Sequence, residues 1–225
     1  MIRLVLFDID GTLLHTSGAG EQAFARVFAT EFNVPAGTDK IKFAGRTDTS
    51  VVRECFLLHQ LEPSPENFRR FFDTYVFWLD HFLHHLPGGA HPGVREMIGA
   101  LRVLPKPPLL GLLTGNIRLG AEIKLRRHEL WDEFELGGFA DGIDARDDIA
   151  RQALQLGRGR LGEDLRGEEI VVIGDTPLDI ACGRAIGAKV LAVATGSSRL
   201  PELREHRPDW AVEDLRQLTA RGICG

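Results

Sequence analysis

The chain has 225 residues, an apolar fraction of 44%, a charged fraction of 26% and a formal net charge of −5. That is the balance of an ordinary soluble globular protein, long enough for one large domain or a core with a smaller partner. The acidic balance argues against nucleic acid as a partner, because such binders carry a basic face, and no apolar run approaches the length that spans a bilayer.

The N-terminus opens directly on a strand, without the basic and apolar regions of a signal peptide. Cys55, Cys182 and Cys224 are odd in number and widely spaced, with no pairing or zinc pattern. They read as small packing residues of a cytoplasmic protein. The first strand, Leu4-Val5-Leu6-Phe7, is apolar throughout and so reads as buried on both faces. It runs into Asp8-Ile9-Asp10-Gly11-Thr12. Residues two apart on an extended chain point to one side, so Asp8 and Asp10 can face one cavity.

Phe24, Val27, Phe28 and Phe32 then mark the apolar face of a helix within 17–32. A second helical stretch carries Val51, Val52, Cys55, Phe56 and Leu58, with Thr47 or Asp48 as its cap. Ser64 and Pro65 suit the N-cap and first position of a third, aromatic-rich helix that Pro87-Gly88-Gly89 stops. No convincing strand falls between residues 17 and 86. From His91 onward strands and helices alternate. Helices are expected at 94–101, 117–128, 146–155 and 180–186, with a short one from Leu215. Buried strands are expected at 107–113, 169–173 and 189–194, with a weaker one at 210–212. This order predicts an α/β fold: a Rossmann-like parallel sheet core with helices on both faces, built from residues 1–14 and 90–225, and an all-helical insert over 15–89.

In a parallel sheet the C-terminal strand ends share one edge. That edge would gather Asp8 and Asp10, Thr114 and Asn116, Asp175 and Asp179, and Thr195. Three or four acids around one point cannot all stay charged without compensation. A hard divalent cation is the simple solution, and Mg²⁺ also binds phosphate oxygens. The chemistry such a site supports is phosphoryl transfer through an aspartyl phosphate, since a carboxylate can serve as nucleophile.

Three segments carry a resemblance to the haloacid dehalogenase-like hydrolase superfamily. Asp8-Ile9-Asp10-Gly11-Thr12 resembles its nucleophile motif, Leu112-Leu113-Thr114-Gly115-Asn116 its phosphate-binding second motif, and Gly174-Asp175-Thr176-Pro177-Leu178-Asp179 its metal-binding fourth motif. They come in the family's order, each on a buried strand, with the helical insert where the family places its cap. The resemblance implies Asp8 as nucleophile and Asp10 as proton shuttle. Asp8, the Asp10 carbonyl and Asp175 would hold Mg²⁺, with Asp179 as a further ligand or just behind the ligands. Thr114 would donate to the phosphoryl group together with backbone amides after Asp8, assisted by Asn116, with Gly115 also at the substrate. The family also needs a cation between its second and fourth motifs, normally a lysine. The only lysine there is Lys124, inside the helix directly after Thr114. Arg146, which opens the helix before the 169–173 strand, is the better placed substitute, with Arg151 one turn behind it.

The second acid, Asp10, is absent from haloacid dehalogenases and replaced in the phosphonate-cleaving branch. Its presence implies a Mg²⁺-dependent phosphatase acting on a small phosphorylated metabolite. Phosphoglycolate is one candidate, because Ala44-Gly45-Arg46-Thr47-Asp48 resembles the specificity loop of helical-capped phosphoglycolate phosphatases. Arg46 could there pair with a substrate carboxylate or second phosphate. A β-phosphoglucomutase-like phosphomutase is the alternative, ahead of a non-catalytic phospho-acceptor. A monomer or homodimer is expected. His81, His84 and His85 lie at helical spacing and read as cap-surface residues.

Overall fold

The computed structural model describes residues 1–225. Its main sheet holds β1 (Leu4–Phe7), β4 (Leu109–Leu113), β5 (Leu136–Gly138), β6 (Ile170–Gly174), β7 (Lys189–Val193) and β8 (Trp210–Val212), in the order β5-β4-β1-β6-β7-β8. Every neighbouring pair is parallel. The remaining strands, β2 (Leu14–His15) and β3 (Gly89–Ala90), form an antiparallel ribbon.

Side-chain alternation in β1 splits the core in two. Val5 and Phe7 join a cluster with Met97, Ile98 and Leu101 of α4 (Val94–Arg102) and Leu125 of α5 (Arg118–Arg127). Leu4 and Leu6 join the opposite cluster, with Ile149, Ala150 and Ala153 of α6 (Arg146–Leu161) and Cys182 of α7 (Pro177–Ala185). The sheet is therefore covered on both faces, as its continuous apolar strands require. Burial of all three cysteines agrees with their reading as packing residues. No helix is long and apolar enough to cross a membrane.

Three helices make the inserted cap: α1 (Ala19–Glu31), α2 (Asp48–Leu58) and α3 (Pro65–His85). Their start signals are the expected ones. Thr47 Oγ1 accepts from the Ser50 amide at 3.1 Å, and Ser64 Oγ accepts from the Asn67 amide at 3.3 Å with Pro65 at the first position. Phe24, Phe28, Phe56, Phe71 and Tyr75 fill a separate apolar centre. Phe24 and Tyr75 meet edge to face at 4.8 Å, a favoured aromatic geometry. The chain enters and leaves this layer through the β2–β3 ribbon, so its two connections are tied together.

Several elements differ from the sequence reading. β2 and β3 are too short to show a period, and Leu136-Gly137-Gly138, with two glycines, carries no strand pattern of its own but pairs with β4. The six-residue α8 (Leu200–Glu205) was also not expected. Helix α6 continues beyond 155 through Gly157, where a Cβ would sit 2.8 Å from Leu4 Cδ2. That glycine marks close helix–sheet packing rather than a helix end.

The aromatic centre should dominate cap stability. Phe71 is fully buried while Phe77, on the same helix, is 63% exposed. Phe71→Ala is expected to cost about 3–5 kcal/mol, and Phe77→Ala to fall within about 0.5 kcal/mol of wild type. Urea unfolding followed by circular dichroism checks both, and similar losses would contradict this packing.

Candidate active site

Strand register assembles the site. Phe7 stands opposite Leu112 on one side and Ile173 on the other. Asp8, Thr114 and Asp175 therefore follow at nearly the same height on three adjacent strands. The strand order also reverses at β1, with β4 and β5 to one side and β6, β7 and β8 to the other. A crevice outside the strand ends at such a reversal is where open α/β sheets bind ligands. Gly11 leaves β1 at φ 82°, and a Cβ there would lie 2.6 Å from Asp175 Oδ2. Only glycine suits both the turn and the close approach.

Asp8 shares the parity of Leu4 and Leu6, so it faces the side that α6 and α7 cover. Arg146, the first residue of α6, is buried there. Its Nη2 lies 3.3 Å from Asp8 Oδ1 and also donates to Asp179 Oδ1. Its Nη1 donates to the Gly45 carbonyl at 3.2 Å. Asp179 is held by a capping box at the start of α7: its Oδ2 accepts from the Thr176 amide at 3.0 Å and from Thr176 Oγ1 at 2.6 Å. Asp175 accepts from the Ser197 amide at 3.0 Å and from Thr12 Oγ1 at 3.3 Å.

One oxygen from each of Asp8, Asp175 and Asp179 falls within 4.8 Å of the others, and all three residues are buried. Burial pushes the Asp8 carboxyl up to about 7 despite the pull of Arg146, with Asp179 and Asp10 adding repulsion. Burial likewise pushes Asp175 up to about 8, with Asp179 and Asp8 contributing. For Arg146, burial opposes the charge, but Asp179 and Asp8 outweigh it and raise its pKa. Three carboxylates thus share one guanidinium, and the site lacks positive charge. A hard divalent cation fits this donor set of carboxylate oxygens. Asp8 and Asp175 could supply ligands directly. Both Asp179 oxygens are engaged by Arg146 and Thr176, which makes that residue a brace in this arrangement.

Asp10 sits in a different network. Its Oδ2 accepts from Asn116 Nδ2 at 2.8 Å and from Lys124 Nζ at 2.6 Å. Lys124 Nζ also donates to Asn116 Oδ1 at 2.6 Å, and Asn116 Nδ2 donates to Thr114 Oγ1 at 2.8 Å. Thr114 Oγ1 accepts from the Asn116 amide as well, at 3.3 Å, so its own proton is available to a ligand.

The structure brings Asp8, Asp10, Thr114, Asn116, Arg146, Asp175 and Asp179 together. Arg151 points elsewhere, pairing with Asp148 on the exposed face of α6. Arg46 borders the cavity, but its guanidinium pairs with Glu54 and donates to the carbonyls of Ser50 and Lys42 at 3.3 and 3.4 Å. Gly115 is the seat of the cap loop, since a Cβ there would collide with the Arg46 carbonyl, and its own carbonyl accepts from the Asp48 amide at 2.7 Å. His81, His84 and His85 are exposed, as expected.

Two residues were missed. Lys124 looked like an ordinary helix-interior lysine. Asp48 was read only as a possible cap of α2, yet its Oδ2 accepts from the Ile117 amide at 2.8 Å. Burial pushes the Asp48 carboxyl up to about 7, with Lys124 drawing it back. Both line the same cavity of about 340 Å³, with Phe24, Phe43 and Tyr75 on its cap side.

A model of the family described as haloacid dehalogenase-like hydrolase matches residues 5–193. Pyrophosphatase PpaX of Oceanobacillus iheyensis is 25% identical over 229 residues, which cover 96% of this chain and 95% of PpaX. Pyrophosphatase PpaX of Halalkalibacterium halodurans is 26% identical over 223 residues, again covering 96% and 95%. Among solved structures, a predicted phosphoglycolate phosphatase from Haemophilus somnus aligns with a TM-score of 0.71 at 19% identity, over 95% of each chain. CbbY from Rhodobacter sphaeroides in complex with phosphate aligns at 0.68 and 19%, over 88% of this chain and 90% of CbbY. At these identities the two solved structures speak for the fold.

The charge deficit has a measurable consequence. Asp175 titrates at about 8 in the fold against an ordinary 3.8. A carboxyl with a raised folded pKa favours folding while protonated, and that contribution is lost as pH rises through the folded value. In metal-free buffer, Asp175→Asn should therefore gain stability relative to wild type between about pH 4 and pH 8. A divalent cation should raise the melting temperature of wild type more than that of Asp175→Asn. Thermal melts with cation and with chelator test both statements, and equal cation shifts in the two proteins would remove Asp175 from the site.

Proposed function

Because the chain belongs to the haloacid dehalogenase-like hydrolases, we propose that it is a Mg²⁺-dependent phosphatase of a small phosphomonoester, working through an aspartyl phosphate on Asp8. The observation that carries this reading is the separation of its two leading acids. Asp8 lies against Arg146 in the buried acidic cluster, whereas Asp10 is held outside it by Asn116 and Lys124. Two carboxylates in such different settings suit two roles.

Mg²⁺ held by Asp8, the Asp10 carbonyl and Asp175, with Asp179 bracing Arg146 beside them, would neutralise charge on the carboxylates and the phosphoryl oxygens. The remaining work belongs to the chain. Asp8 attacks phosphorus, and the bond to the leaving oxygen breaks as the aspartyl phosphate forms. Asp10 gives its proton to that oxygen, then takes one from the water that hydrolyses the intermediate. Thr114 Oγ1 and the backbone at Gly115 donate to the phosphoryl oxygens, with Asn116 holding Thr114 in place. Arg146 keeps Asp8 oriented and offsets negative charge as the phosphoryl group transfers.

A cavity of about 340 Å³ suits a small substrate. Phosphoglycolate remains a candidate from the loop around Arg46. Pyrophosphate joins it, because the curated relatives at 25% and 26% identity are pyrophosphatases. A phosphomutase is the weaker reading, because no feature of the sequence demands that an aspartyl phosphate be held against water.

A panel of phosphate monoesters and pyrophosphate, assayed with Mg²⁺ and with chelator, tests the reading. Mg²⁺-dependent phosphate release is expected, and Asp8→Asn should abolish it; activity persisting in that variant would sink the nucleophile assignment. Arg146→Ala should lower kcat by about 10²-fold or more, while Arg151→Ala stays near wild type. The reverse order would move the role to Arg151. If Arg46 reads the substrate, Arg46→Ala will change the ranking of the panel rather than lower every rate equally.

A further inference from the structure

We infer that Lys124 is a positioning residue for proton transfer: together with Asn116 it anchors one oxygen of Asp10, so that the other oxygen carries the proton to the leaving group. The inference rests on the reading of Asp10 as proton donor and adds a residue that the family motifs do not supply here.

Lys124 lies on the buried face of α5 with Ala121 and Leu125, and its side chain is 4% exposed. Burying an ammonium is costly unless it is paired and hydrogen-bonded. Its Nζ meets Asp10 Oδ2 and Asn116 Oδ1, both at 2.6 Å. This is no surface ion pair. It is one corner of a closed triangle, because Asn116 Nδ2 also donates to the same Asp10 oxygen at 2.8 Å. Lys124 fixes the amide orientation too. A flipped Asn116 would set its carbonyl against the Asp10 carboxylate and its NH₂ group against the ammonium.

The triangle makes the two Asp10 oxygens unequal. Oδ2 accepts two donors, one of them charged, while Oδ1 accepts no hydrogen bond from the protein. Oδ1 is therefore the oxygen left free to exchange a proton with a ligand, and Asp10 lines the cavity. In the forward step the Asp8–phosphorus bond forms, the bond from phosphorus to the leaving oxygen breaks, and the Oδ1 proton passes to that oxygen. Asp10 leaves the step as a carboxylate, and Lys124 stabilises the charge it gains. Arg146 cannot do this, being committed to Asp8, Asp179 and the Gly45 carbonyl.

Proton donation matters for a poor leaving group and little for a good one, so the test compares two substrates. Wild type, Lys124→Met and Asp10→Asn are assayed with an alkyl phosphate and with 4-nitrophenyl phosphate. General acid catalysis contributes about 10²–10⁴-fold, so Lys124→Met should lose at least about tenfold in kcat on the alkyl ester. Its loss on the nitrophenyl ester should be several times smaller, with KM little changed on either. Uniform loss on both substrates, or a change in KM alone, would overturn the proposal. Asp10→Asn separates the two levels. If it also lacks leaving-group dependence, the proton-donor reading fails; if it shows the dependence and Lys124→Met does not, only the inference about Lys124 fails. Should Lys124→Met not fold, Lys124→Gln provides the same comparison. Failure of both to fold would make Lys124 a stability residue and overturn the assignment.

Discussion

The guanidinium of Arg146 is the interaction on which the site depends. Alternation along β1 aims Asp8 at the face covered by α6 and α7, and those helices bring Arg146 and Asp179 to it. Without a cation there, Asp8, Asp175 and Asp179 would be three buried charges with only hydrogen bonds to offset them. Removing one partner from a buried ion pair costs about 3–5 kcal/mol because the other charge is left uncompensated. Arg146 lowers that cost without eliminating it, since Asp8 and Asp175 still sit near 7 and 8. The remaining deficit leaves the cluster able to accept further positive charge.

The same side chain reaches the cap. Arg146 Nη1 donates to the Gly45 carbonyl, and the neighbouring loop rests on Gly115. Around it Thr47 Oγ1 donates to the Asp144 carbonyl at 2.9 Å, and Arg53 pairs with Asp144 at 2.9 Å. Asp48 adds its bond to the Ile117 amide, close to the first turn of α5. Cap docking and the segment from Thr114 to Asn116 therefore share one backbone surface. Under the proposed function, the residues assigned to the phosphoryl group would also place the cap loop, through short contacts.

Much of this was legible in the sequence because it depends on period and spacing. The three five-residue strands after the first motif and the shorter β8, the caps at Ser64 and Thr47, and the acids at the strand ends follow from local patterns that the tertiary structure keeps. Arg146 was legible because it opens a helix next to the crevice. What stayed hidden depended on partners far along the chain. Strand β5, with two glycines among its three residues, exists because β4 needs a neighbour. Arg46 looked free, yet Glu54 lies two turns along α2 and takes its guanidinium. Asp48 was one of two cap candidates; Thr47 takes that role, and the Asp48 side chain instead accepts from the Ile117 amide at the cavity.

Lys124 shows the geometric reason such a residue escapes a motif-based reading. It lies six residues beyond the start of α5, about 9 Å along the axis. Distance in sequence from Thr114 therefore suggests distance from the site. Side chains on a helix tilt toward its N-terminus, however, and the N-terminus of α5 is where the chain leaves the β4 strand end. A long, unbranched side chain on the buried face is thus directed back at the crevice, where it meets Asp10 and Asn116. A motif search asks for one cation between the second and fourth segments. Here two cations reach the crevice, Arg146 beside Asp8 and Lys124 beside Asp10, so that each of the two leading acids has its own. The division is physically economical, because a single cation midway would leave both acids in similar surroundings. Two separate partners let Asp8 and Asp10 differ, as the two roles proposed for them require.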